Sequence, residues 1–221
     1  MENLFLNNKE KITSLSFFNN NINNLLSNLK IDFYRLDIFE ISNLFGKNDI
    51  KQIKPEDFIF IAKNFNNSIP LFIDIPISLL YSDTISDLIN FYNETNATGL
   101  SIDIKYSETN IVKQLKFENI PVIGYSNNSN IKFDKIKDYS LEFQSQGGNA
   151  IIFENFNDSI IESLKSFLMI SVISDNFCKN DGIYGKISDI IGLSDKNKRM
   201  LNFNELFIET IKDFNFQCKK K

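Results

Sequence analysis

The run Pro70-Leu71-Phe72-Ile73-Asp74-Ile75-Pro76 is strand-length, apolar at nearly every position and closed by a proline. A strand apolar on both faces belongs in a parallel sheet with both sides covered. Pro76 ends it, because proline cannot donate to a ladder. The same kind of run recurs at Ile31–Ile38, Gly99–Ile104, Ile120–Gly124, Ala150–Glu154 and Met169–Ile173. Weaker strand signals lie near Lys11–Leu15 and Ile183–Ile187.

The intervening segments carry helical spacing. Asn19 to Leu29 puts Ile22, Leu25, Leu26 and Leu29 on one face. Pro55 stands where a first helical turn begins, and Phe58, Ile59, Ala62 and Phe65 follow. Ser82–Tyr92, Asn110–Phe117, Phe133–Phe143 and Asn157–Phe167 repeat the pattern. A 3.6-residue period predicts helices that cover a buried sheet. Alternating strands and helices imply parallel βαβ units. An open doubly wound sheet and a closed (β/α)8 barrel both fit. No G-x-G-x-x-G follows the first strand, which weakens the dinucleotide-binding form. The strand count approaches eight, so the expectation is a single small, possibly trimmed α/β domain over 1–221, a (β/α)8 barrel against a usual length of about 250.

Composition narrows the chemistry. The chain has 221 residues, 43% hydrophobic and 24% charged, which suits one globular core. A net charge of −4 leaves no basic footprint for nucleic acid. No apolar run approaches the roughly 20 residues of a membrane helix. The N-terminus lacks a basic region and a small-residue cleavage site, so no signal peptide is expected. Cys178 and Cys218 cannot form a disulfide framework and read as reduced thiols of a cytoplasmic protein. With no histidine, Ser-His-Asp and Cys-His catalysis and His-ligated zinc are excluded. Acid–base work falls to Asp, Glu, Lys, Tyr or Cys, and any metal takes oxygen ligands, as Mg²⁺ does. The abundance of Asn, Ile, Lys and Phe fits AT-rich codon drift.

Four strand candidates end on an acid: Asp37, Asp74, Asp103 and Glu154. In a barrel, those ends carry the active site. Acids among apolar neighbours need a partner or a metal. One reading is a hard-cation site with one acid left as base. The other is four strand-end acids that cap helices or face water. Gly147-Gly148 reads as a helix end before a strand, Cys178 as a passive thiol, and Lys113, Lys116, Lys132, Lys135 and Lys137 as solvated helix faces.

With these strand ends placed, the chain resembles the ketopantoate hydroxymethyltransferase (3-methyl-2-oxobutanoate hydroxymethyltransferase) family. Asp32-Phe33-Tyr34-Arg35-Leu36-Asp37 is similar to that family's D-V-I-L-V-G-D-S, one residue short. Phe72-Ile73-Asp74-Ile75-Pro76-Ile77 resembles V-A-D-M-P-F, and Gly99-Leu100-Ser101-Ile102-Asp103 stands where the family has A-V-K-L-E. Ile120-Pro121-Val122-Ile123-Gly124-Tyr125 resembles I-P-V-M-G-H, and Gly148–Glu154 resembles G-A-F-A-I-V-L-E. Asp181-Gly182 and Asp189-Ile190-Ile191-Gly192-Leu193 resemble D-G-Q-V-L-V and H-D-L-L-G-L.

The resemblance implies a barrel of the phosphoenolpyruvate/pyruvate superfamily, often assembled as a homo-oligomer. It implies transfer of a one-carbon unit from methylene-tetrahydrofolate to the small α-keto acid 3-methyl-2-oxobutanoate, through a Mg²⁺-stabilised enolate, in pantothenate synthesis. By position, Asp37, Asp74 and Asp103 would bind metal, Glu154 would be the catalytic acid/base, and Ser101, Lys105 and Tyr125 would meet substrate. This chain departs from the pattern at several of these places. Ser101 replaces a lysine, for which Lys105 is the candidate substitute, and Tyr125 replaces a histidine. Asp103 replaces a glutamate, shorter by about 1.5 Å. Ser126–Asn130 replaces a long Gly-rich loop. These departures keep two alternatives open: a C–C lyase acting on another Mg²⁺-bound α-keto acid, and a catalytically inactive homologue.

Overall fold

A computed structural model describes residues 5, 11–16, 30–65, 68–81, 84–127, 130–176 and 178–190. The predicted helix over Asn19–Leu29, Cys218 and the terminal lysines lie outside them. Two compact units are present, Met1–Tyr184 and Gly185–Lys221. The site described below belongs wholly to the first.

Eight parallel strands close into a barrel in chain order. They are β1 (Ile12–Ser16), β2 (Phe33–Leu36), β3 (Leu71–Asp74), β4 (Gly99–Asp103), β5 (Val122–Ser126), β6 (Ala150–Phe153), β7 (Ser171–Ser174) and β8 (Gly182–Gly185). The helices are α1 (Ile38–Leu44), α2 (Pro55–Lys63), α3 (Ile77–Leu80), α4 (Ile85–Thr95), α5 (Ile111–Phe117), α6 (Phe133–Ser145), α7 (Asp158–Phe167) and α8 (Ile187–Ile190). The connection 175–181, between β7 and β8, shows no helix among its described residues. Omitting a crossover helix there helps to fit a barrel into a short chain. No helix among the described residues is long and apolar enough to cross a membrane.

Local chemistry sets the element ends. Pro55 takes the first position of α2, where its missing N–H costs nothing and its fixed φ suits the helix. Asp57 accepts a 2.9 Å hydrogen bond from the Lys54 N–H. Gly147 follows the last turn of α6 at φ +92°, a helix end as its sequence predicts. The non-glycine residues at positive φ among those described are all asparagines: Asn96, Asn110, Asn119 and Asn155. Asparagine tolerates this left-handed conformation better than other residues with a Cβ.

Strand register sorts side chains by the period of two. The pairs Ser16↔Arg35, Phe72↔Gly99, Asp74↔Ser101, Asp103↔Tyr125 and Tyr125↔Ile152 lie on the barrel's inner face. Phe33, Phe72, Ile123, Ala150, Ile152 and Ile173 form the interior core. Phe5 joins Phe33 and Phe72 edge-to-face, with ring centroids 5.8 and 6.0 Å away. Its carbonyl accepts from the Ser171 hydroxyl at 2.7 Å. Phe33 and Phe72 each stand two residues before a charged inner-face residue, Arg35 and Asp74. An aromatic layer therefore lies beneath a charged one.

Gly99 makes room for the aromatic layer. A Cβ there would lie 2.6 Å from both the Phe72 ring and the Pro121 carbonyl oxygen. The carbonyl belongs to the backbone and cannot swing aside. Gly99→Ala is expected to cost about 1–3 kcal/mol through overpacking, seen as a lowered urea midpoint. An unchanged midpoint would contradict the close approach.

Candidate functional site

The centre of the charged layer is Arg35 of β2, which is 0% exposed. Its guanidinium meets three carboxylates from three strand ends. Nε donates to Asp74 Oδ1 at 2.7 Å, and Nη2 donates to Asp74 Oδ2 at 2.8 Å. Nη1 donates to Glu154 Oε1 at 2.7 Å and lies 3.5 Å from Asp37 Oδ2. The planar fork of arginine suits this two-point pairing, which lysine cannot make. The Tyr125 ring lies 3.9 Å from the guanidinium carbon, and the Tyr184 ring lies 5.5 Å away. Both aromatic faces attract the cation.

The acids are held by more than arginine. Asp37 caps α1, with its Oδ1 accepting from the Phe39 and Glu40 N–H groups at 2.7 and 3.3 Å. Its Oδ2 accepts from the Tyr184 hydroxyl at 3.0 Å. Asp74 Oδ2 also accepts from the Ile38 N–H at 3.0 Å. The helix start after β2 therefore fixes two of the three acids.

Three carboxylates share one guanidinium in a volume closed to water, so their charges are unbalanced. Burial pushes the Asp74 carboxyl up to about 6, while Arg35 pulls the other way and neighbouring Asp37 adds to the rise. Burial alone would lower the arginine, but Asp74, Asp37, Tyr184 and Glu154 together hold it well above its usual value. Burial, with Asp37 close by, raises the Tyr184 phenol far enough to keep it a donor; burial and Asp74 do the same to Tyr125.

Of the residues singled out in the sequence, Asp37, Asp74, Glu154 and Tyr125 converge on this cluster. Asp103 does not join Arg35's partners. It accepts from the Lys105 N–H at 3.2 Å and pairs with the Lys105 ammonium at 2.7 Å, at the partly exposed start of a short 3₁₀ turn. Lys105 is half exposed and lies 4.8 Å from the Tyr106 ring. Ser101 is fully buried beside Asp74 in the register, and its hydroxyl has no hydrogen-bond partner among the described residues. Sequence reasoning passed over Arg35 and Tyr184. The signal was present: Phe33, Arg35 and Asp37 share a face by the period of two, so the arginine had to point where the acids point.

A Mg²⁺ ion needs about six oxygen ligands at about 2.0–2.1 Å. Here the carboxylate oxygens are turned onto a guanidinium that fills the space between them. Among the described residues, no group of three or more His, Cys, Asp or Glu side chains is placed to hold a metal ion. As arranged, these residues do not fit a resident divalent ion.

Comparison with known proteins bears on the fold. The chain is similar to phosphoenolpyruvate phosphomutase from Streptomyces platensis subsp. rosaceus, with a TM-score of 0.68 at 9% identity over 97% of this chain and 85% of that one. It is similar to oxaloacetate acetylhydrolase, with a TM-score of 0.65 at 10% identity over 88% and 86%. Phosphonopyruvate hydrolase in complex with oxalate and Mg²⁺ gives a TM-score of 0.61 at 14% identity over 83% and 77%.

The fold is a closed eight-stranded (β/α)8 barrel, the architecture these neighbours share. These comparisons support the barrel fold that the resemblance implied, and none of the three is a hydroxymethyltransferase. No protein-family model matches the chain. A curated relative, protein Ycf2 of Physcomitrium patens, is 30% identical over 151 residues, which is 60% of this chain and 6% of that protein.

Two measurements check the cluster. Arg35→Ala strands three buried carboxylates, and breaking a buried pair in this way costs about 3–5 kcal/mol. A urea midpoint near wild type would contradict that. For Asp74 the folded pKa, about 6, lies above the ordinary aspartate value of 3.8. The folded state therefore binds more protons in that window, and the contribution of Asp74 to stability falls as pH rises through about 6. Wild type should gain stability relative to Asp74→Asn between pH 7 and pH 5, measured by urea unfolding. A pH-independent difference would show that Asp74 stays ionised.

Proposed function

We propose that this chain is a non-catalytic homologue of the α-keto-acid barrel enzymes, in which an internal ion cluster occupies the strand ends. The observation that carries the reading is Arg35, fully buried and paired with the acids assigned to chemistry. Enolate formation at a divalent ion requires a free coordination site and room for a keto acid. Here Asp74 is committed at both oxygens, and Glu154, the candidate acid/base, is 1% exposed. Hydroxymethyl transfer from methylene-tetrahydrofolate to 3-methyl-2-oxobutanoate asks more still, because the basic residue of the resembled family is Ser101 here. Self-assembly and a cytoplasmic location belong to this proposal as expectations carried from the sequence.

A second reading has its own support. The structural neighbours include a hydrolase with oxalate and Mg²⁺ and an oxaloacetate acetylhydrolase. A C–C lyase acting on a small α-keto acid would need Arg35 to release Asp74 and turn toward substrate carboxylate.

The full chain, assayed by NMR with 3-methyl-2-oxobutanoate plus methylene-tetrahydrofolate, with oxaloacetate and with phosphonopyruvate, each with MgCl₂, is expected to show no turnover above buffer. Oxalate formed from oxaloacetate, and lost in Asp74→Ala, would replace this reading with the lyase. Ketopantoate formation would restore the transferase.

A further inference from the structure

The first inner-face residues of the strands, at the N-terminal end of the barrel, are uneven in size. Ile12, Phe33 and Phe72 are bulky, but β4 opens on Gly99, β6 on Ala150, β7 on Ser171 and β8 on Gly182. Barrel layers are usually filled by large branched side chains. Four small residues leave this end short of volume.

Phe5 supplies that volume from outside the sheet. It belongs to no strand and precedes β1. Its ring meets Phe33 of β2 and Phe72 of β3 edge-to-face, at 5.8 and 6.0 Å, and those two rings lie 5.4 Å from each other. Its carbonyl accepts from the Ser171 hydroxyl of β7 at 2.7 Å. One residue therefore reaches from β2 and β3 to β7. Phe5 keeps 7% exposure while Phe33 and Phe72 are 0% exposed, so it is the outermost ring of the three.

We infer that this end of the barrel is a binding pocket for one phenylalanine-type residue, an aryl ring with a peptide carbonyl beside it, and that Phe5 occupies it in cis as a displaceable plug. Phe33 and Phe72 select a ring, because aromatic pairs gain from the edge-to-face arrangement. Ser171 supplies the donor for the carbonyl. These contacts are made by three side chains of the barrel wall, and none of them needs the plug to be part of the same chain. Phe5 is tethered to β1, which gives it a high local concentration against any outside ligand. The apparent affinity of that ligand falls with the fraction of molecules whose pocket is open. An emptied apolar pocket stays dry and takes up an aromatic molecule of matching size. The inference goes beyond the non-catalytic reading and stands whether or not the strand ends are catalytic.

The test uses the full chain as wild type, Phe5→Ala, Phe5→Val and the double variant Phe5→Ala/Ala150→Leu. The probe is N-acetyl-L-phenylalaninamide, which carries both the ring and the carbonyl, and N-acetyl-L-leucinamide is the control. Binding is followed by calorimetry, and thermal unfolding with and without each compound. Phe5→Ala should melt below wild type, bind the probe at least about tenfold more tightly than wild type and melt higher in its presence. The leucine compound should give a smaller gain. The double variant, in which β6 returns volume to the pocket, should lose the gain.

Phe5→Val is read by the same criteria if Phe5→Ala fails to fold. A variant that folds only with the probe present supports the inference. A folded variant that binds no better than wild type would overturn it. So would equal gains from the two compounds, which would make the pocket a hole without preference for a ring. A double variant that binds as well as the single one would place the probe elsewhere. Failure of both single variants to fold even with the probe would show that Phe5 is a fixed part of the core and no plug.

Discussion

A guanidinium group closed off from water ties the ends of β2, β3 and β6 to one another. Removing three carboxylates and an arginine from solvent is unfavourable, and only close pairing offsets it. That requirement constrains much else. Asp74 must present both oxygens, α1 must start at Asp37, and the rings of Tyr125 and Tyr184 must lie near the cation. The aromatic layer of Phe5, Phe33 and Phe72 closes the barrel interior beneath.

The covered parallel sheet was legible because burial on both faces leaves a clear strand pattern, and a strand count near eight favoured closing it into a barrel. Phe72-Ile73 and Ile151-Ile152 could sit only in a covered parallel sheet. The helices α2, α4, α5, α6 and α7 fall within a few residues of their predicted spans, since each carries a continuous apolar face. The end strands were harder. Gly182–Gly185 is short and glycine-bounded, and the described residues of the connection before it form no helix to mark its start. Met169, read as part of β7, lies before it and is largely exposed.

The site was legible in part, for a different reason. An acid at the end of an apolar strand is conspicuous, and Asp37, Asp74 and Glu154 do converge. Asp103 has the same signature but turns to Lys105, because the 3₁₀ turn that follows offers a local N–H and a nearby ammonium. Arg35 was hidden by its setting. In a resemblance-guided reading its strand drew attention to the acid that follows, while elementary alternation already placed the arginine among the acids. A basic residue inside a buried strand calls for as much scrutiny as an acidic one.

The left-handed asparagines have a bearing on how the chain holds together before it folds. The protein has 8 glycines in 221 residues, a low number for a fold with so many tight reversals. At Asn96, Asn110, Asn119 and Asn155 a residue with a Cβ does work that glycine often does. A glycine at each place would leave the unfolded chain freer and raise the entropy lost on folding. Asparagine accepts a small conformational strain in the native turn and, in return, narrows the unfolded ensemble. The choice of asparagine at these turns thus reaches the stability of the barrel through the disordered chain rather than through any native contact.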